Sequence, residues 1–211
     1  MAMHIISVDL QNEFCTEGGA LYHPRSSVSF ITEILLPFVR DRGYRIAEIV
    51  SDYRANEPGV SASSCVPGQW GYQSIIPSDL KYPSVWVKAE PSPAWTRPGA
   101  GQADQPPGQP YPAPDAFSAW LLTTIGAAAD QQIILVGLML EICVLSTLQE
   151  LKYRGYRVKV LSEGVDTYSG SVEQKQLLFG TLFPFWGQAL SWAQMQEVSA
   201  QSEHGRVPAQ R

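Results

Sequence analysis

Residues 134–151 read ILVGLMLEICVLSTLQEL. With the residues just before them they hold the most strand-like run of the chain, QQIILVG (131–137), which is short, apolar and β-branched at its centre. Then the period changes. EICVLSTLQELKYRGY (141–156) carries apolar residues at helical spacing, with Gly155 at its stop. A strand that passes through a glycine into a helix is half of a βαβ unit, and this one delivers Cys143 into the first turn of its helix. A thiol there is either an inert core residue or a nucleophile at a helix N-terminus.

Working outward, HIISVDL (4–10), YRIAEIVSD (44–52), VWVK (85–88), YRVKVLSEG (156–164) and GQALSW (187–192) predict further strands. SVSFITEILLPFVRDRG (27–43), APDAFSAWLLTTIG (113–126) and SVEQKQLLFGTLFPF (171–185) predict helices, the first kinked or split at Pro37. Strands alternating with helices of this length predict an α/β protein: a central, mainly parallel sheet of about six strands between two helical layers. Residues 1–198 read as one domain and the polar segment 199–211 as a flexible tail. SPAWTRPGAGQADQPPGQPYPAP (92–114), rich in Pro, Gly and Gln, is too long for an ordinary connection. It reads as a lid over a site, a solvent-facing insertion or a locally disordered stretch.

Composition excludes several classes. The formal net charge of −5 argues against a nucleic-acid partner. No run approaches the ~18 apolar residues of a membrane span. The start, MAMHIISVDL, has no basic segment and predicts no signal peptide. Cys15, Cys65 and Cys143 are odd in number, widely spaced and without a CxxC pair, which points to free thiols in a reducing cytoplasm.

Ligands of open parallel sheets sit beyond the carboxyl ends of the strands. Asp9 closes the first strand, Lys88 closes the third, and Cys143 follows the central one. A sheet with those strands side by side brings the three together. Each alone has an ordinary reading, as a turn acid, a solvated lysine and a core thiol; their coincidence carries the argument.

The surrounding segments resemble the isochorismatase-like cysteine hydrolases, which include nicotinamidases and N-carbamoylsarcosine amidohydrolases. VDLQNEF (8–14), VKAEPSPAW (87–95) and VGLMLEICVLSTLQELKYRGYRVKVLSEGVDT (136–167) match the family's acid, lysine and nucleophile segments in order. The resemblance implies a Rossmann-like, isochorismatase-like hydrolase fold, with Asp9, Lys88 and Cys143 as the catalytic triad. It also implies an oxyanion hole formed by the N–H groups of Met139 and Cys143, with a cis bond between Leu138 and Met139. The activity implied is hydrolysis of a small amide or ureido C–N bond through a Cys thioester. Such a thiol needs activation: a shift from ~8.5 to about 7 takes ~2 kcal/mol, to which a helix N-terminus adds ~0.3–1 kcal/mol and Lys88 the remainder.

The chain also departs from the family. Leu140 replaces the usual Thr. SDYRANEPGVSASS (51–64) holds none of the histidines of the nicotinamidase metal motif, so no metal and no cofactor are expected. Arg54 is a candidate fork for a substrate carboxylate; Phe14, Trp70, Trp86 and Trp95 are candidates for an aromatic wall, and Leu140 a further pocket residue. A small-molecule substrate and a homo-oligomer, dimer or tetramer, are the partners implied. Two alternatives stay open: a catalytically silent binding protein on the same fold, and an isochorismatase-type vinyl ether hydrolase. The absence of GxGxxG and GxxxxGK sets nucleotide sites aside.

Overall fold

A computed structural model describes residues 2–55 and 63–204 of the chain, without the side chains of 201–204. The strands are β1 (Ala2–Val8), β2 (Ile46–Ser51), β3 (Trp86–Lys88), β4 (Trp95–Thr96), β5 (Tyr111–Pro112), β6 (Gln131–Leu138), β7 (Arg157–Asp166) and β8 (Gln188–Leu190). Six form one parallel sheet in the order β3-β2-β1-β6-β7-β8, and β4 pairs with β5 as a separate antiparallel ribbon.

Side chains along a strand leave on alternate faces, and here both faces are apolar. Met3 and Ile5 of β1 join Ile134, Val136 and Leu138 of β6 in one buried cluster; Ile6 and Val8 join Ile133 and Leu135 in the other. The first face is covered by helix α1 (residues 26–41) through Ile31, Leu35 and Val39. The second is covered by α2 (Pro114–Thr124) through Phe117 and Leu121, and by α3 (residues 140–153) through Val144, Leu148 and Leu151. Helix α4 (Val172–Thr181) buries no residue fully, and α5 (Trp192–His204) closes over the first face with Met195. The result is the three-layer α/β/α sandwich that the alternating pattern predicts.

Three of these features take definite form. Proline interrupts the first helix through a π-helical turn, Ile31–Leu35, after which Leu36–Asp41 resumes α geometry; the wider turn lies where the Pro37 ring would crowd a carbonyl four residues back. The segment 92–114 is ordered around the β4–β5 ribbon. The last helix runs on through residues 199–204 of the expected tail, with Ser199 buried and 2.9 Å from the Tyr44 hydroxyl; residues 205–211 lie outside the described part.

The strand order also corrects a detail that bears on the site. The first and third strands are not neighbours, because β2 lies between them. The chain winds outward from β1 to β3 and returns to β6 on the other side of β1, which leaves a topological switch point beyond the carboxyl ends of β1 and β6.

Candidate active site

Two backbone devices shape the switch point. Asp9 follows β1 with φ +56 and donates its N–H to the Ile49 carbonyl at 2.9 Å; this left-handed conformation is one that Asp tolerates better than most residues. Gly137, near the end of β6, has φ +126, and a Cβ there would lie 2.0 Å from the Val8 carbonyl oxygen. Only glycine lets the two strand ends approach so closely. The chain then passes a cis peptide between Leu138 and Met139 and enters α3 as a π-turn, Leu140–Val144, that contains Cys143.

Lys88 reaches this point from the edge of the sheet, past the end of β2. Its ammonium lies 2.9 Å from Asp9 Oδ2 and donates to Ser51 Oγ at 2.7 Å, Tyr53 Oη at 2.5 Å and Cys143 Sγ at 3.4 Å. Ser51 Oγ donates in turn to Asp9 Oδ1 at 2.7 Å, and Tyr53 Oη lies 3.5 Å from Cys143 Sγ. Lys88 is 0% exposed, Asp9 1% and Cys143 3%. A charge so buried persists only when paired. Lys88 has three protons, and Ser51, Tyr53 and Cys143 lie in line for them. Asp9 Oδ2 thus receives the charge of Lys88 but no aligned hydrogen bond, which leaves it a lone pair to accept a proton.

The electrostatics differ from expectation. Burial pushes the Cys143 thiol up to about 11, against the pull of Lys88 and with the help of Asp9. The resting group is therefore the thiol, because Lys88 is already neutralised by Asp9 and burial disfavours the charged form. Burial alone would lower Lys88; Asp9, then Cys143 and Tyr53, hold it well above the usual lysine range. Burial also raises Tyr53 and Cys65 far above their usual ranges and Cys15 to about 12.

The other candidates disperse. All five N–H groups of Arg54 are engaged: Nε and one Nη with the two oxygens of Asp52, the rest with the carbonyls of Gly99, Gln102 and Gln105. It clamps the 92–114 segment, and no donor is left for a substrate. Phe14 and Leu140 are fully buried in opposite core clusters, and Trp86 packs on Phe117 and Trp120. Trp70 is exposed beside Gly18. These aromatics build no common wall. Trp95, 38% exposed, lines a cleft of about 370 Å³ with Glu90, Pro91, Ser92 and Ser146, the last three residues beyond Cys143 on α3. A larger cleft, about 580 Å³, opens along β8 on Lys159, Phe183, Gln188 and Glu197, none of them part of the cluster.

Among the described residues no three His, Cys, Asp or Glu side chains gather as a metal site. Asp52, the acid at the end of β2, is taken by Arg54 and by the Gly101 N–H, so the residues present do not fit a metal there. Sequence reasoning overlooked Ser51 and left Tyr53 without a role. Strand parity was the available signal, since 51 and 53 share one side of the strand end and 52 and 54 the other.

Residues 3–194 match the model of the isochorismatase domain. No curated protein matches the chain by sequence. Among solved structures it is similar to an isochorismatase-like hydrolase from Alkaliphilus metalliredigens, with 19% identity, a TM-score of 0.65 and coverage of 95% of this chain and 100% of that one. It is also similar to a nicotinamidase/pyrazinamidase from Bacillus subtilis (17%, TM-score 0.62, 90% and 99%) and to an N-carbamoylsarcosine amidase from Thermoplasma acidophilum (19%, TM-score 0.57, 90% and 95%). At these identities the likeness is one of fold. No helix among the described residues is long and apolar enough to cross a membrane.

Proposed function

Because the chain belongs to the isochorismatase-domain family, we propose that it is a metal-independent cysteine hydrolase that cleaves the C–N bond of a small amide or ureido compound. The observation that carries this reading is the fully buried Lys88 ammonium, ion-paired to Asp9 and within 3.4 Å of Cys143 Sγ. Burying a lysine, a carboxylate and a thiol together is costly, and such clusters concentrate at functional sites.

With the thiol protonated at rest, attack and deprotonation are coupled. Cys143 Sγ forms a bond to the carbonyl carbon, its proton passes to Asp9 Oδ2, and the π electrons move to oxygen. The N–H groups of Met139 and Cys143 are the donors assigned to that oxyanion. Collapse of the intermediate breaks the C–N bond, and the departing nitrogen takes the proton from Asp9. Water then adds to the thioester, giving its proton to Asp9, and the thiolate leaves and recovers that proton. Lys88 keeps Asp9 anionic between these transfers. Trp95 and its cleft border the substrate's approach. The free thiols suit a reducing cytoplasm, and the exposed Val172, Leu177 and Phe185 suit a homo-oligomer.

The test is ammonia or amine release from a panel of primary amides and ureido acids, with acid quench and peptide mass spectrometry to catch the acyl adduct. The adduct is expected on Cys143 and absent from Cys143→Ala. Turnover that survives in that variant sinks the mechanism.

A further inference from the structure

The proposed mechanism gives Tyr53 no task although its hydroxyl lies against the Cys143 sulfur, and its geometry determines where its proton points. An ammonium has only protons to offer, so at 2.5 Å from Lys88 Nζ the Tyr53 oxygen is the acceptor. Its own hydrogen is then free for a second partner, and Cys143 Sγ lies 3.5 Å away. The ring is held as well, because Lys88 Nζ sits 4.8 Å from its centroid and the Tyr53 backbone pairs with Ser64 in both directions at 3.2 Å. The sulfur thus faces two donors, Lys88 and Tyr53, and one acceptor, Asp9.

We propose that Tyr53 is a further catalytic residue: its hydroxyl donates to the Cys143 sulfur and stabilises the thiolate that forms on transfer of the thiol proton to Asp9. This rests on the reading of Cys143 as the nucleophile. Tyr53 keeps its proton throughout, and no bond to it is made or broken. Its hydrogen bond strengthens as charge develops on sulfur, both when the thiol is deprotonated for attack and when the thioester is cleaved and the sulfur departs. The groups that act on this sulfur are Asp9 from the end of β1, Tyr53 from beyond β2, Lys88 from the end of β3 and, at longer range, the Cys65 thiol. Of these, Lys88 and Tyr53 favour the thiolate, and Asp9 favours the thiol.

The test needs no substrate. Iodoacetamide labelling of Cys143 is followed by peptide mass spectrometry from pH 6 to 10 in wild type, Tyr53→Phe and Asp9→Asn. Below the thiol's midpoint the rate follows the thiolate fraction, rising about tenfold per pH unit. Loss of a hydrogen bond to a charged sulfur lowers that fraction by about tenfold or more. The rate falls less, by about threefold or more, because a more basic thiolate is a better nucleophile. Tyr53→Phe is therefore expected to give a profile parallel to wild type and displaced downward, and Asp9→Asn one displaced upward. As a second probe, 3,5-difluorotyrosine at position 53 makes the phenol a stronger donor without changing the fold, and is expected to raise the rate. Unchanged labelling with Tyr53→Phe and with the fluorinated residue, while Asp9→Asn still responds, overturns the role of Tyr53 and leaves the hydrolase reading standing. If no variant moves the profile, Cys143 is uncoupled from the cluster and both readings fall.

Discussion

The buried pair of Lys88 and Asp9 gives the sharpest prediction. Lys88→Met keeps the length and packing of the side chain but strands an Asp9 that is 1% exposed and has lost its counter-charge, with Ser51 Oγ at 2.7 Å and the Cys143 thiol as neutral donors. Breaking a buried ion pair from one side costs about 3–5 kcal/mol. For a domain of this size each kcal/mol lowers Tm by about 2–4 °C, so Lys88→Met should melt about 6–20 °C below wild type. The partner variant, Asp9→Asn, leaves an ammonium that still has Ser51, Tyr53 and Cys143 as acceptors, and should lose less. The double variant buries no charge at the site and should recover part of the loss. Urea unfolding of all four proteins closes the cycle, with an expected coupling of about 2 kcal/mol or more. Lys88 titrates well above its reference of 10.5; a raised value means that its contribution is complete below about pH 10 and lost only above. The cycle therefore belongs at pH 7. Single-variant losses that simply add, to within about 0.5 kcal/mol, would refute the claim that the two charges hold one another in a buried site.

Other outcomes follow from single features. Gly137→Ala drives a Cβ against the Val8 carbonyl at an unfavourable φ and should destabilise by about 3 kcal/mol or more, read by urea unfolding or by loss of soluble protein. Arg54→Lys cannot replace the planar fork and should expose residues 97–106 to limited proteolysis while the labelling profile of Cys143 stays as in wild type; protection of that segment would contradict the clamp. In the folded protein Cys15 and Cys65 should label far more slowly than Cys143 at pH 9, since burial holds both thiols higher; equal rates would refute the ordering. A labelling profile for Cys143 that reached its plateau below pH 8 would refute a thiol held near 11.

Much of the fold was legible because the pattern is redundant. The apolar runs of β1 and β6 and the helical spacing of α1 and α3 each imply a sheet covered on both faces, so an error in one leaves the layers intact. Strand order was not legible: nothing in VWVK says that it pairs with β2 rather than β1. Asp9, Lys88 and Cys143 stood out because each is a reactive type at a strand end. Arg54 misled for the opposite reason, since beyond its pairing with Asp52 its partners are the main-chain carbonyls of Gly99, Gln102 and Gln105, and carbonyls are invisible in a sequence. The thiol's resting state was misjudged because the helix N-terminus and Lys88 were counted, while the loss of water around Cys143, the larger effect, depends on packing.

The short run Ser51–Asp52–Tyr53–Arg54 serves two neighbours at once. Its odd members meet Asp9, Lys88 and Cys143; its even members grip the 92–114 segment through Arg54, Asp52 and three carbonyls. One strand end thus keeps two commitments on opposite sides. The Arg54 clamp holds main-chain carbonyls and is indifferent to the side chains that carry them, whereas the buried Arg97 answers from the segment with a side-chain hydrogen bond to the Arg54 carbonyl at 2.6 Å. Replacements at Gln102 and Gln105 therefore leave both grips intact, so the surface of this segment can change while Arg54 and Arg97 keep it in register with the chemistry beneath.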